Sequence, residues 1–171
     1  MSTVYFEAAV LQNAVHAALR FMDMPAYADD WSRTTCLYLN FDGKFLHIRS
    51  TGESCLFSRK LPYAAKSDPW DTPILLTRRE ANVLVDYCKE RGKKCDMALT
   101  IQEDALRVSG QVIPTLLQNS GRVANDRLLK TFKHFNKTLF EKPFYFDSTI
   151  PKKGLLLCTD ENFKLMDEAR P

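Results

Sequence analysis

The chain has 171 residues, 45% hydrophobic and 26% charged, which is enough apolar mass for a packed core and excludes a largely disordered polypeptide. A net charge of +3 excludes a polycationic protein. The excess is unevenly placed: residues 1–121 carry 14 basic and 14 acidic side chains, so it lies wholly in residues 122–171.

Thr3 to Phe6 is β-prone. Leu11, Val15, Ala18, Leu19 and Met22 then fall on one helical stripe, with Asn13, His16, Ala17 and Arg20 opposite. Asp23 to Pro25 ends that helix, because proline cannot continue it. After a loop at Asp29 to Arg33, three strands are expected as a meander: Thr35 to Phe41, Lys44 to Ser50 and Ser54 to Arg59. Turns at Asp42-Gly43 and Thr51-Gly52 separate them. In the first strand Leu37, Leu39 and Phe41 share a face. Pro62 to Pro73, with three prolines, is a connection.

Thr77-Arg78-Arg79-Glu80 has the form of a capping box. Ala81, Leu84, Val85 and Cys88 give the second helical stripe, and Gly92 stands where a C-terminal cap belongs. Met97, Leu99 and Ile101 alternate as a strand, which Glu103-Asp104 turns into Leu106 to Ser109. Val112 to Gln118 reads as a further short strand and Gln118 to Asn125 as a polar link. A third helix is expected from about Asp126 to Lys142, with Asn125 as its N-cap and Leu128, Phe132, Phe135 and Leu139 inward. Short strands at Phe144 to Asp147, Gly154 to Thr159 and Phe163 to Met166 follow. The pattern helix, strand, strand, strand recurs after Thr77 and after Asn125.

The five cysteines include no C-x-x-C pair, which fits a reduced, cytoplasmic setting. No apolar run is long enough for a membrane span, and no signal peptide is expected. No nucleotide-binding, zinc-protease or nucleophile-elbow motif occurs. His16, His47 and His134 are far apart, and each lacks a metal-ligand neighbour at the usual spacing. The acid pairs Asp29-Asp30, Glu103-Asp104 and Asp160-Glu161 fall in expected turns, where aspartate is at home for structural reasons. An enzyme, a cofactor and a metal are therefore not expected.

Basic helix faces carry the remaining signal. Lys130, Lys133, His134 and Lys137 stand at i, i+3, i+4 and i+7 in the third helix. Arg78, Asn82, Asp86, Lys89 and Lys93 share the exposed side of the second, and His16 and Arg20 that of the first. Solvated surface lysines explain any one of these faces. Three together suit a surface that touches phosphates without reading bases.

The order strand, helix, meander, helix, strands is carried by "STVYFEAAVLQNAVHAALRFM", "TCLYLNFDGKFLHIRSTGESCLFSRKLP", "PILLTRREANVLVDYCKERG" and "CDMALTIQEDALRVSG". It resembles one repeat of a DNA sliding clamp, the polymerase processivity-factor family. The closing stretch "DRLLKTFKHFNKTLFEKPFYFDSTIPKKGLLLCTDENFKLM" resembles the second half of another repeat. The resemblance implies an α+β fold, with antiparallel sheets backed by about three helices. Residues 1–118 would form one clamp-like repeat and residues 119–171 a partial second repeat packed on the first. It also implies that Arg20, Lys89, Lys93, Lys130, Lys133 and Lys137 contact the backbone of duplex DNA, non-specifically, in a homo-oligomer that works with replication proteins. The alternative is a protein–protein interaction module, an inhibitor or adaptor of replication, repair or transcription proteins, indifferent to charge reversal at those residues.

Overall fold

Val4 and Phe6 alternate with Tyr5 and Glu7, and this period of two buries one face of β1 (Val4–Glu7). The computed structural model describes residues 3–25, 31–53, 55–63, 67–135 and 156–158. After β1 come α1 (Ala8–Arg20), β2 (Cys36–Phe41), β3 (Phe45–Thr51) and β4 (Cys55–Pro62). Next are β5 (Ile74–Thr77), α2 (Arg78–Arg91), β6 (Asp96–Gln102), β7 (Ala105–Val108) and β8 (Gln111–Pro114). Two further helices, α3 (Leu116–Ser120) and α4 (Arg122–Phe135), precede β9 (Leu156–Cys158).

Two units of strand, helix and three strands exchange their first strands. One sheet has the order β1-β6-β7-β8 and the other β5-β2-β3-β4-β9. All pairings are antiparallel except β4–β9, which is parallel, with Leu56 opposite Leu157. The recurring pattern seen after Thr77 is α2-β6-β7-β8, and its counterpart in space is α1-β2-β3-β4. The recurrence expected after Asn125 falls largely outside the described residues, as do the strands at 144–147 and 163–166.

The inner faces of both sheets and the buried stripes of α1 and α2 form one core, including Leu11, Val15, Leu37, Leu39, Phe41, Leu84, Leu99 and Leu106. The other face of β2 is also covered. Cys36 and Tyr38, with Leu75 of β5, pack against Leu116, Leu128 and Phe132. Tyr38 and Phe132 stack with ring centroids 5.4 Å apart. The five-stranded sheet is thus a middle layer, with the α1–α2 pair on one side and α4 on the other.

Local chemistry explains the boundaries. Thr77 Oγ1 accepts a hydrogen bond from the Glu80 amide at 3.4 Å and caps α2. Glu80 does not complete a reciprocal box: its carboxylate accepts from Asn119 Nδ2 at 3.3 Å. Gly92 takes φ +95 and ends the helix, a backbone region that costs glycine least. The C-terminal carbonyls of α1 are satisfied by distant donors. Ser50 Oγ donates to Ala18 O at 2.7 Å, and Arg78 Nη1 to Leu19 O at 2.8 Å. Gly52 passes so close that a Cβ there would lie 2.5 Å from Phe21 O.

Several sequence expectations are corrected. Phe41 faces Leu46, and the Asp42 amide bonds to Phe45 O, so the hairpin tip is Gly43-Lys44, one residue beyond Asp42-Gly43. The next turn is likewise closed by Gly52 N to Cys55 O rather than centred on Thr51-Gly52. Ala17 is buried, not on the solvated face of α1. The strand expected over Val112 to Gln118 stops at Pro114, and α3 starts at Leu116 within the expected strand and link. There Thr115 Oγ1 and Gln118 Nε2 donate to Asp104 O and Glu103 O, tying α3 to the β6–β7 turn. Gly121, at φ +86, breaks the chain between α3 and α4. The next helix begins at Arg122, so Asn125 is a buried residue inside it rather than its cap.

Candidate nucleic-acid interface

α1 and α2 lie antiparallel. Arg78, at the start of α2, reaches the carbonyls at the end of α1, while Ala8 N donates to Cys95 O beyond the end of α2. The 13 residues of α1 span about 20 Å at 1.5 Å per residue. Arg20 therefore stands at one end of the pair and Lys89 and Lys93 at the other. Lys93 is past Gly92, in the turn rather than on the helix. All three side chains are exposed.

Between these ends the outer surface carries Asn13 and His16 from α1 and Asn82 and Asp86 from α2. α1 has no acidic residue, and the first turn of α2 adds exposed Arg79 near the Arg20 end. Arg20 and Lys89 also sit in the last turns of their helices, where a cation favours the negative end of the dipole. The surface carries cations at both ends and Asp86 on its middle, with exposed Glu90 beside Lys89 and exposed Asp23 just past Arg20. Arg78 is not part of it: its guanidinium is turned inward onto α1.

Lys130 and Lys133 are exposed on α4, and Lys137 lies outside the described residues. They do not join the first set. Leu37, Leu39 and Phe41 point toward α1 and α2, and Cys36 and Tyr38 point toward α4. Successive side chains of a strand take opposite faces, so β2 separates the two groups of cations. The sequence carried a signal for this. "CLYLNF" is apolar at both parities, which is the mark of a strand covered on both faces.

His47 has a partner that sequence spacing did not suggest. Its Nε2 is 2.7 Å from Asp42 Oδ2, and its Nδ1 is 3.3 Å from Arg49 Nη2. Arg49 can only donate, so Nδ1 accepts and Nε2–H donates to the carboxylate. This is the neutral imidazole. Burial lowers the His47 pKa, the Asp42 bond opposes that, and the Arg49 charge reinforces it. Asp42 is pushed up by burial but held below its ordinary value by His47 and by the Phe45 and Lys44 amides. Those amides lie 2.8 Å from Oδ1, so the carboxylate is committed to shaping its hairpin. Burial pushes the Cys88 thiol up to about 12, which makes it an inert core residue.

Among the described residues no group of His, Cys, Asp and Glu could hold a metal ion. No helix among them is long and apolar enough to cross a membrane.

No family model matches the sequence, and no curated protein matches it. Solved structures do match. A DNA polymerase sliding clamp from Pseudomonas aeruginosa aligns at TM-score 0.54 and 14% identity, covering 70% of this chain and 31% of that one. A DNA polymerase III beta subunit from Thermotoga maritima aligns at 0.54 and 13%, covering 67% and 30%. A putative DNA polymerase III beta subunit from Eubacterium rectale aligns at 0.54 and 8%, covering 66% and 30%. The chain has the sliding-clamp fold. The likeness is one of fold, and the chain spans 30–31% of the length of these three clamps. The expected α+β class holds, with four helices rather than three among the described residues and one parallel strand pairing.

Proposed function

We propose that this chain is a non-enzymatic, clamp-like scaffold that associates with the backbone of duplex DNA, without sequence preference, through the outer surface of α1 and α2. The observation that carries the reading is that helix pair, laid over two sheets in the sliding-clamp fold, with Arg20 at one end and Lys89 and Lys93 at the other. The ends are about 20 Å apart, far enough to meet phosphates on either side of a groove about 12 Å wide. Neither helix offers a cluster of Arg, Asn and Gln that would read base edges. Lys130 and Lys133 face away, so one straight duplex does not touch both sets. Work alongside replication proteins, and self-association to surround a duplex, belong to the same proposal. The strands at the sheet margins are β1 and β8 in one sheet and β5 and β9 in the other.

Fluorescence anisotropy with a labelled duplex tests the reading. Binding is expected to weaken steeply between about 50 and 200 mM salt and to ignore sequence. The R20E/K89E/K93E variant is expected to bind at least about tenfold more weakly and with a shallower salt slope. Absence of binding at about 50 mM salt, or full binding by the variant, overturns it.

A further inference from the structure

α4 carries Arg122, Arg127, Lys130 and Lys133 against Asp126 alone, the most one-sided charge of the three longer helices. Among the described residues, Arg127, Lys130 and Lys133 make no ion pair. Leu128 and Phe132 turn down onto the sheet, which leaves those three cations along the outward side of the helix. Beside them runs a groove of about 840 Å³ between α4 and the β2–β5 margin. Its floor is apolar, with buried Tyr38 and half-buried Pro73 and Leu129, and its rim carries Arg127, Lys130 and Lys133 against one carboxylate, Asp126. That volume is far more than one side chain fills and lies within the range of ligand-binding clefts.

The chemistry of the floor separates two classes of anionic partner. Single-stranded nucleic acid held without sequence readout needs free aromatic faces on which bases stack, and a duplex held by its phosphates makes no use of an apolar floor. Tyr38 does not supply a free face. Phe132 stacks on its ring at 5.4 Å, and the Arg49 guanidinium lies 5.8 Å from its centroid. Leu129 and Pro73 instead suit aliphatic or aromatic side chains of a peptide. An apolar floor with a rim of three cations and one carboxylate is complementary to an apolar core flanked by carboxylates.

We infer that the groove between α4 and the β2–β5 margin is a docking site for an acidic, amphipathic segment of a partner protein. Apolar side chains of that segment rest on Pro73 and Leu129, and its Asp and Glu residues meet Arg127, Lys130 and Lys133. The site lies on the opposite side of the sheet from the proposed duplex contact. Both can be occupied together, and each can be lost without the other.

The probe is a short fluorescein-labelled peptide with a Leu-Leu core flanked by glutamates, titrated with the full chain. Saturable binding is expected, weakened at least about tenfold when the core is Ala-Ala and abolished when the flanks are lysines. The K130E/K133E variant changes only exposed side chains. It is expected to lose at least about tenfold in affinity while keeping its thermal midpoint, and R20E/K89E/K93E is expected to bind normally. Three results overturn the inference. The first is no binding by the full chain, as when its own residues fill the groove. The second is equal binding of the Ala-Ala peptide, which reduces the site to charge alone. The third is displacement of the peptide by a single-stranded oligonucleotide whose own binding is lost in K130E/K133E, which gives the surface to nucleic acid.

Discussion

The two faces of the five-stranded sheet are made by the same strands and are covered very differently. On the α1–α2 side, 29 of the described residues, nearly all from the two sheets and the two helices, form one buried cluster. On the α4 side the cluster has, among the described residues, six buried members, gathered around Tyr38 and Phe132. The larger side joins residues from Val4 to Ile113 and must form as a unit. The smaller joins α3 and α4 to a sheet that already has a complete core without them. Elements with few buried contacts open at lower free energy than the core, so the two faces are expected to differ in cooperativity as well as size.

Matched truncations should show this asymmetry most visibly. Phe41 is fully buried on the larger side, with Tyr63 edge-on at 5.8 Å and Trp70 at 6.4 Å. Phe41→Ala is expected to cost about 4 kcal/mol and to shift the whole urea transition. Phe132 is equally buried on the smaller side. Phe132→Ala is expected to cost about 3 kcal/mol in the docking of α4, read by hydrogen exchange as lost protection over residues 128–133, with β2 and β3 amides unchanged. Equal loss of protection in α4 and β3 for both variants would mean that the faces fold as one.

The next effect in size tests what holds the α1–α2 side together. Arg78 is the first residue of α2, yet it donates to Leu19 O and Met22 O at the end of α1. It links the two units that exchange strands. Arg78→Ala removes a charged donor from a part-buried carbonyl and is expected to cost about 1.5 kcal/mol in chemical denaturation. A change within about 0.5 kcal/mol, the range of ordinary surface substitutions, would show that solvent replaces the guanidinium.

The larger face was legible in the sequence, and of the smaller one only the inward Leu128 and Phe132 stripe of α4 was, for physical reasons. α1 and α2 are amphipathic with local stop signals, so a 3.6-residue period, Thr77 and Gly92 placed them. The hairpins were placed to within one residue, because Asp42 shapes its turn with its own side chain rather than occupying the tip. β5 was hidden, since "ILLT" follows a proline-rich connection and pairs with β2, more than 30 residues earlier. No local pattern reports a pairing at that distance. α3 was hidden because Pro114 and Gly121 bracket too few residues to show a helical period. The basic residues were each found, but their grouping was not. Whether Lys130 sits beside Lys89 depends on which parity of β2 each helix covers, and that requires the packed structure.

The smallest effect distinguishes the faces by pH. His47 and Asp42 belong to the α4 side, since Leu46 and Ile48 on either side of His47 point into the larger core. Both pKa values are lowered on folding, His47 by burial first and Asp42 by its hydrogen bonds against the effect of burial. A lowered folded-state pKa means that the unfolded chain binds protons more readily. Stability therefore rises with pH across the interval between the two values for each group. For His47 the contribution is complete above its ordinary value of 6.5 and declines as pH falls below it. For Asp42 the decline begins near 3.8 and continues downward. The two add in the same direction, so acid weakens this side of the sheet in two stages. His47→Gln keeps a donor for Asp42 and removes the titrating ring. Its thermal midpoint is expected to fall less than that of the wild type between pH 7 and about 5. Parallel profiles over that interval would show that His47 charges as readily in the folded sheet as in the unfolded chain.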